Sequence, residues 1–147
     1  AAMEALAENL GVKSRSTFAG QVTAGEPVRR ILDAADLFVL PSRTEGLPRA
    51  LVEAMARALP CIGSDVGGIP ELLEKEELVP PGDAAALATK IMAVLSNPER
   101  VEAMSLRNLE QSKEYRDIVL AERRRNFYRH VREYTNEWTA RRNRARV

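Results

Sequence analysis

The sequence predicts an α/β fold: a parallel sheet of about four short strands, flanked by helices and followed by long C-terminal helices. Three observations carry that expectation. Leu37-Phe38-Val39-Leu40 is a continuous apolar run stopped by Pro41, the mark of a strand buried on both faces of a parallel sheet. On either side of it, strand-like runs alternate with segments of helical period, the pattern of parallel strands joined by right-handed crossovers. At 147 residues with 45% apolar content, the chain is long enough to bury one domain core and too short for two good ones.

The elements follow in order. Met3, Leu6, Ala7 and Leu10 recur at helical spacing and are closed by Gly11, so the chain opens in a helix with a glycine C-cap. Ser16 to Val22 fits a strand, and Glu26 to Ala35 returns to a helical period through Val28, Ile31, Leu32 and Ala35. After the Leu37 strand come a helix from about Pro48 to Ala58, a short strand at Cys61-Ile62-Gly63, and a helix opening near Ile69-Pro70-Glu71, where Pro suits the first turn. Leu78-Val79 reads as the last strand. Pro80-Pro81-Gly82-Asp83 ends it and supplies an Asp N-cap for a helix through Leu87, Ile91, Val94 and Leu95. Past Asn97-Pro98 the pattern is helical only. The expected division is therefore residues 1–97 as the α/β part and 98–147 as helices that pack on it or cross back from it. The final helix, from about Asp117, carries Leu120, Phe127, Val131, Tyr134 and Trp138 as a stripe that reads as a docking face.

Charge and cysteine content narrow the function classes. Lys plus Arg number 22 and Asp plus Glu 21, so the total says nothing about partners, but its distribution is uneven. Ala1 to Tyr115 holds 12 basic and 17 acidic residues, whereas Arg116 to Val147 holds 10 Arg and 4 acids. That tail is either a long helix with a solvated Arg face or a contact for an anionic surface such as membrane headgroups. No nucleic-acid-binding module is recognisable, and nucleic acid is not an expected partner. Cys61 is the only cysteine, which excludes an intramolecular disulfide and a cysteine-based metal cluster and fits a reducing, cytoplasmic compartment. No window approaches the ~20 apolar residues of a membrane span.

The chemistry concentrates in Pro41-Ser42-Arg43-Thr44-Glu45-Gly46-Leu47-Pro48-Arg49-Ala50-Leu51-Val52-Glu53. This stretch follows a strand and opens a helix, the place where ligands bind in open α/β sheets. If Pro48 begins the helix, Glu45 lies just ahead of it and Glu53 in its second turn. Eight residues at ~1.5 Å rise separate them by at most ~12 Å along the axis. Ionised carboxylates so placed can accept hydrogen bonds from sugar and ribose hydroxyls, while the free N–H groups of the helix start between them favour a diphosphate. On spacing alone, the ordinary reading is the favoured one: Glu45 is a carboxylate stabilised near a helix N-terminus and Glu53 a solvated helix residue.

The stretch resembles the Glu-x7-Glu signature of the GT-B glycosyltransferases of family 4, or group 1. Phe18-Ala19-Gly20-Gln21-Val22, Ala35-Asp36-Leu37-Phe38-Val39-Leu40-Pro41-Ser42, Gly67-Gly68-Ile69-Pro70-Glu71 and Leu78-Val79-Pro80-Pro81-Gly82-Asp83 resemble further segments of that family, in order and at natural spacing. The resemblance covers roughly residues 6–97. It implies the C-terminal, donor-binding half of a retaining glycosyltransferase, with an incomplete Rossmann-like sheet, that transfers a hexose from a nucleotide diphosphate sugar, a UDP-sugar foremost, to an acceptor hydroxyl without a metal. By the same resemblance Glu45 is the catalytic member that contacts the donor sugar and Glu53 holds the ribose. Gly46, Leu47, Pro48 and Arg49 lie beside sugar and phosphates, and Gln21, Val22 and Thr23 meet the base. Polysaccharide assembly in the cytoplasm, peripheral to the inner membrane face, is the implied setting. The alternative is a non-catalytic assembly module that uses the basic C-terminal helix at an anionic surface.

Two positions depart from the family pattern. Pro48 stands where many relatives have a second glycine, and Ala58 stands where a glycine usually ends the helix, which carries a penalty if the left-handed conformation is kept. Asp65 and Gly67-Gly68 read as turn-formers near the site, Cys61 as core and His130 as a surface residue. The family's donor half begins with two strands and cationic phosphate contacts, and its acceptor-binding N-terminal domain is a further partner. Without them the sheet is expected to have a gap between the Phe18 and Leu37 strands, and the chain alone to be inactive and prone to associate.

Overall fold

The structure, a computed structural model, describes the backbone over residues 2–144 and side chains over residues 2–142. Residues up to Ala34 form one compact unit and those from Ala35 onward a second. In the first, helix α1 (Ala2–Asn9) ends on Gly11 at φ 67°, whose N–H donates to Glu8 O at 2.9 Å, and helix α2 (Glu26–Asp33) follows. Ser16 to Val22, expected as a strand, is not one. Thr17, Phe18 and Val22 suit a strand, but a strand is held by its ladder, and among the described residues no such pairing reaches this segment.

Among its described residues the second unit holds three parallel strands, β1 (Phe38–Leu40), β2 (Cys61–Ser64) and β3 (Leu78–Val79), in the order β1-β2-β3. Phe38 lies opposite Cys61 and Gly63 opposite Leu78. The sheet is thus parallel as expected, with three strands where about four were expected. β2 is buried throughout, whereas β1 is half-buried and, among the described residues, pairs with β2 alone; the expectation of a strand covered on both faces belongs to β2.

Helices α3 (Arg49–Ala56), α4 (Ala84–Leu95) and α5 (Pro98–Ser112) pack with this sheet. Leu51, Ala54 and Met55 lie three and four residues apart on α3, so one face is buried, and that face packs toward α5. Ile62, Val79, Val94 and Met104 form a second core cluster between the sheet and the helices, each contributing about 1.5–3 kcal/mol by burial. Asp83 Oδ1 accepts from Ala86 N–H at 2.8 Å and Asn97 Oδ1 from Arg100 N–H at 3.0 Å, capping α4 and α5. The helix expected at Ile69 is only a 3-10 turn over Ile69–Glu71, since Glu74 is extended and starts a second 3-10 turn, Lys75–Glu77. Ala58 does take the left-handed conformation, at φ 58°. Its N–H donates to Met55 O and the N–H of Leu59 to Ala54 O, the two bonds of a Schellman end normally made with glycine.

A charged cluster centred on the buried Glu77 lies at the amino ends of β2 and β3. Glu77 pairs in bidentate fashion with Arg107 of α5, Nη1 to Oε1 and Nη2 to Oε2, both at 2.6 Å. Arg107 Nη1 also reaches Glu74 at 3.0 Å, and Nη2 donates to Asn108 Oδ1 at 2.7 Å. Asn108 Nδ2 in turn donates to Leu59 O at 2.8 Å, tying α5 to the approach of β2. The last helix, α6 (Asp117–Arg144), is exposed along most of its length, and Phe127, Val131, Tyr134 and Trp138 of the expected docking stripe face solvent.

Candidate functional site

The turn after β1 is built by short-range constraints. Pro41 cannot extend the ladder, and the chain runs irregularly from there to Pro48. Pro48 is the N-cap of α3 at φ −77°, ψ 107°, so the helix begins at Arg49, one position later than anticipated. Its ring is buried and its carbonyl accepts from Leu51 N–H at 3.1 Å and Val52 N–H at 3.3 Å. Proline has no side-chain acceptor, so nothing caps the helix, and the N–H groups of Arg49 and Ala50 donate to no backbone carbonyl. Two donors and the positive end of a helix dipole are left at the carboxyl end of β1.

Glu45 lies directly before this helix start, half-buried, and Ser42 Oγ donates to its Oε1 at 2.7 Å. That bond holds one carboxylate oxygen and leaves the lone pairs of the other for a ligand. Glu53 is exposed on α3, five residues into the helix. The structure therefore brings Glu45, Gly46, Leu47, Pro48, Arg49 and Glu53 onto one loop and helix start, with Leu47 and Arg49 exposed. Gln21, Val22 and Thr23 belong to the first unit, in the irregular segment before α2.

Two contributors were not assigned a role from sequence. Ser42 carries no sequence signal of its own, and only the structure shows its hydroxyl on the Glu45 carboxylate. Gly67 and Gly68 were read as a turn, and the structure shows what the turn touches. Gly68 N–H donates to Gly46 O at 2.9 Å, and a Cβ on Gly67 would lie 1.9 Å from Glu45 O. Among the described residues no cluster of three or more His, Cys, Asp or Glu side chains is arranged to hold a metal, and no helix is long and apolar enough to cross a membrane.

The fold and this turn define an α/β domain whose candidate site sits at a strand-to-helix junction beyond the carboxyl end of a parallel sheet. Residues 1–111 match the family model described as glycosyl transferases group 1, and the chain belongs to that family. The amylovoran biosynthesis glycosyltransferase AmsK of Erwinia amylovora is 49% identical over 76 residues, 46% of this chain and 19% of that protein. A UDP-Gal:α-D-GlcNAc-diphosphoundecaprenol α-1,3-galactosyltransferase of Escherichia coli is 47% identical over 49 residues, 33% of this chain and 13% of its own length. Among solved structures, sucrose-phosphate synthase from Thermosynechococcus elongatus superposes with a TM-score of 0.81 at 30% identity, covering 90% of this chain and 34% of that one. The chain thus spans about a fifth of the length of the curated relative AmsK and a third of this structural neighbour.

Proposed function

We propose that the chain is the donor-binding half of a retaining GT-B glycosyltransferase that takes a nucleotide diphosphate sugar and passes its hexosyl group to an acceptor hydroxyl. The observation that carries this reading is the Glu45 carboxylate, anchored by Ser42 at 2.7 Å, next to the uncapped start of α3. In this reading the free Glu45 oxygen accepts from donor-sugar hydroxyls and Glu53 from the ribose. The N–H groups of Arg49 and Ala50, with those of Gly46 and Leu47, lie near the diphosphate. As the sugar–phosphate bond breaks, negative charge grows on the leaving diphosphate, and donors fixed in advance stabilise that charge without reorganising. No metal is assigned to the step. The acceptor site and further cationic phosphate contacts come from an N-terminal partner domain, so the chain alone is inactive.

A UDP-sugar is the first donor to test, because a relative of the same family is named for UDP-Gal. Calorimetric titration of UDP-, GDP- and ADP-sugars into the full-length enzyme tests the site. Saturable binding of one donor, weakened at least ~10-fold by Glu45→Ala and by Glu53→Ala, is expected for lost charged hydrogen bonds of about 1.5–3 kcal/mol each. A folded enzyme that binds none of them refutes the reading.

A further inference from the structure

We infer that Gly67 and Gly68 are positioning residues for the Glu45 loop: their turn seats the carbonyls of Glu45 and Gly46 and thereby sets where the donor contacts stand. The inference rests on the donor-site reading above. Its geometry is a backbone-on-backbone contact that no side chain would allow. A Cβ on Gly67 would lie 1.9 Å from Glu45 O and 2.7 Å from its carbonyl carbon. One on Gly68 would lie 2.6 Å from Gly46 O and 3.3 Å from Leu47 Cα. The Gly68 N–H bond to Gly46 O, 2.9 Å, fixes the spacing from the attractive side.

Which partner yields to an added methyl group follows from how each is anchored. The glycine turn runs into Ile69, Leu72 and Leu73, at 0%, 1% and 5% exposure. Ile69 is itself wedged against β2, since a Cβ at Gly63 would meet its Cγ2 at 2.6 Å. Close-packed interiors transmit such displacement with little give. The Glu45–Leu47 loop is irregular and largely exposed, so the displacement falls on the loop. Opening the Gly67 contact to a tolerable distance moves Glu45 by about an ångström, and a misplacement of that size costs ~100-fold in rate.

The two glycines also separate contact from conformational strain. Gly67 has φ 55°, where a side chain is strained whatever the space, but Gly68 has φ −86°, which any residue adopts. Gly68→Ala therefore reports crowding of the loop alone. Gly11→Ala is the opposite control, with φ 67° and nothing within 4 Å of the added Cβ.

The test uses the full-length enzyme with a UDP-sugar donor identified by the titration above. Gly68→Ala is expected to change amide hydrogen exchange over residues 44–50 and to lower kcat at least ~10-fold, with Kd for UDP changing less than kcat. Gly67→Ala gives a larger loss, and Gly11→Ala alters melting temperature only. An unchanged exchange pattern in Gly68→Ala, an unchanged kcat, or an equal kcat loss in Gly11→Ala overturns the inference. If the wild-type enzyme binds no nucleotide sugar, the donor reading falls and the positioning role falls with it, while the exchange data still show separately whether the turn holds the loop.

Discussion

Replacing Arg107 with Met removes the cation at the centre of the buried cluster while keeping most of the side chain's apolar length. Two 2.6 Å bonds to Glu77, one to Glu74 and one to Asn108 are lost together. The Glu74 bond weighs little, because that carboxylate is 61% exposed and already solvated. Glu77 decides the outcome. At 2% exposure its carboxylate would keep a single donor, the N–H of Glu74 at 3.2 Å. Breaking a buried pair on one side leaves an uncompensated charge and costs about 3–5 kcal/mol. Arg107→Met is therefore expected to lower unfolding free energy by about 3 kcal/mol or more. Glu77→Gln costs less, about 1–2 kcal/mol, because Arg107 is 25% exposed and can turn to water and Glu74. The double variant has no buried charge left, so it is expected to be more stable than Arg107→Met alone, with a coupling of about 2 kcal/mol between the two sites. Urea unfolding of all four proteins at one pH gives these values directly, provided the slope with urea is unchanged. An Arg107→Met loss below about 1 kcal/mol, or strictly additive single changes, would show that Glu77 is not the isolated buried charge argued here.

Ala58→Gly tests the other end of α3. A left-handed L-residue costs about 1–2 kcal/mol and glycine adds about 0.5–1 kcal/mol of unfolded-state entropy, so a net gain of roughly 0.5–1 kcal/mol is expected, seen as a rise of a few degrees in melting temperature. A lower melting temperature would contradict it. Burial first, and the charge of Glu77 second, push the Cys61 thiol from 9.0 up to about 12. The folded chain thus holds this proton while the unfolded chain loses it, so Cys61 contributes a loss of stability as pH rises from about 9 toward 12 and none below. Iodoacetamide at pH 8 is accordingly expected to leave native Cys61 intact and to label it once urea unfolds the chain; full labelling of the native protein at the rate of a free thiol is the contrary result.

What the sequence disclosed and what it hid divide by range. The starts of α4 and α5 are legible because Asp83 and Asn97 act within three residues, and the left-handed end at Ala58 is legible only through the resemblance to a family in which a glycine usually follows this helix. Ser16 to Val22 carries the right residue types for a strand, yet strand formation depends on a partner that local pattern does not report. The Glu77–Arg107–Asn108–Leu59 chain was invisible for a related reason. Its links span 30 and 49 residues, and each member alone reads as an ordinary polar residue of a turn or a helix.

The candidate site was legible in the same uneven way, and the topology explains why. In a parallel sheet the carboxyl ends of all strands lie on one side, so a loop after one strand meets the loop after its neighbour. Glu45 and Gly46 follow β1, Gly67 and Gly68 follow β2, and β1 pairs directly with β2. The contact between the two loops is therefore a consequence of strand order, while each loop's composition only records that it must turn. The buried charges sit at the opposite, amino ends, before β2 and β3. On the proposed donor reading, stability and ligand chemistry fall to different ends of one sheet, and Arg107→Met at the stability end should weaken the fold without altering donor affinity in the molecules that remain folded. A donor Kd that changed with Arg107→Met in a fully folded enzyme would mean the two ends are coupled, through α3, which packs against α5, or through the buried strand β2.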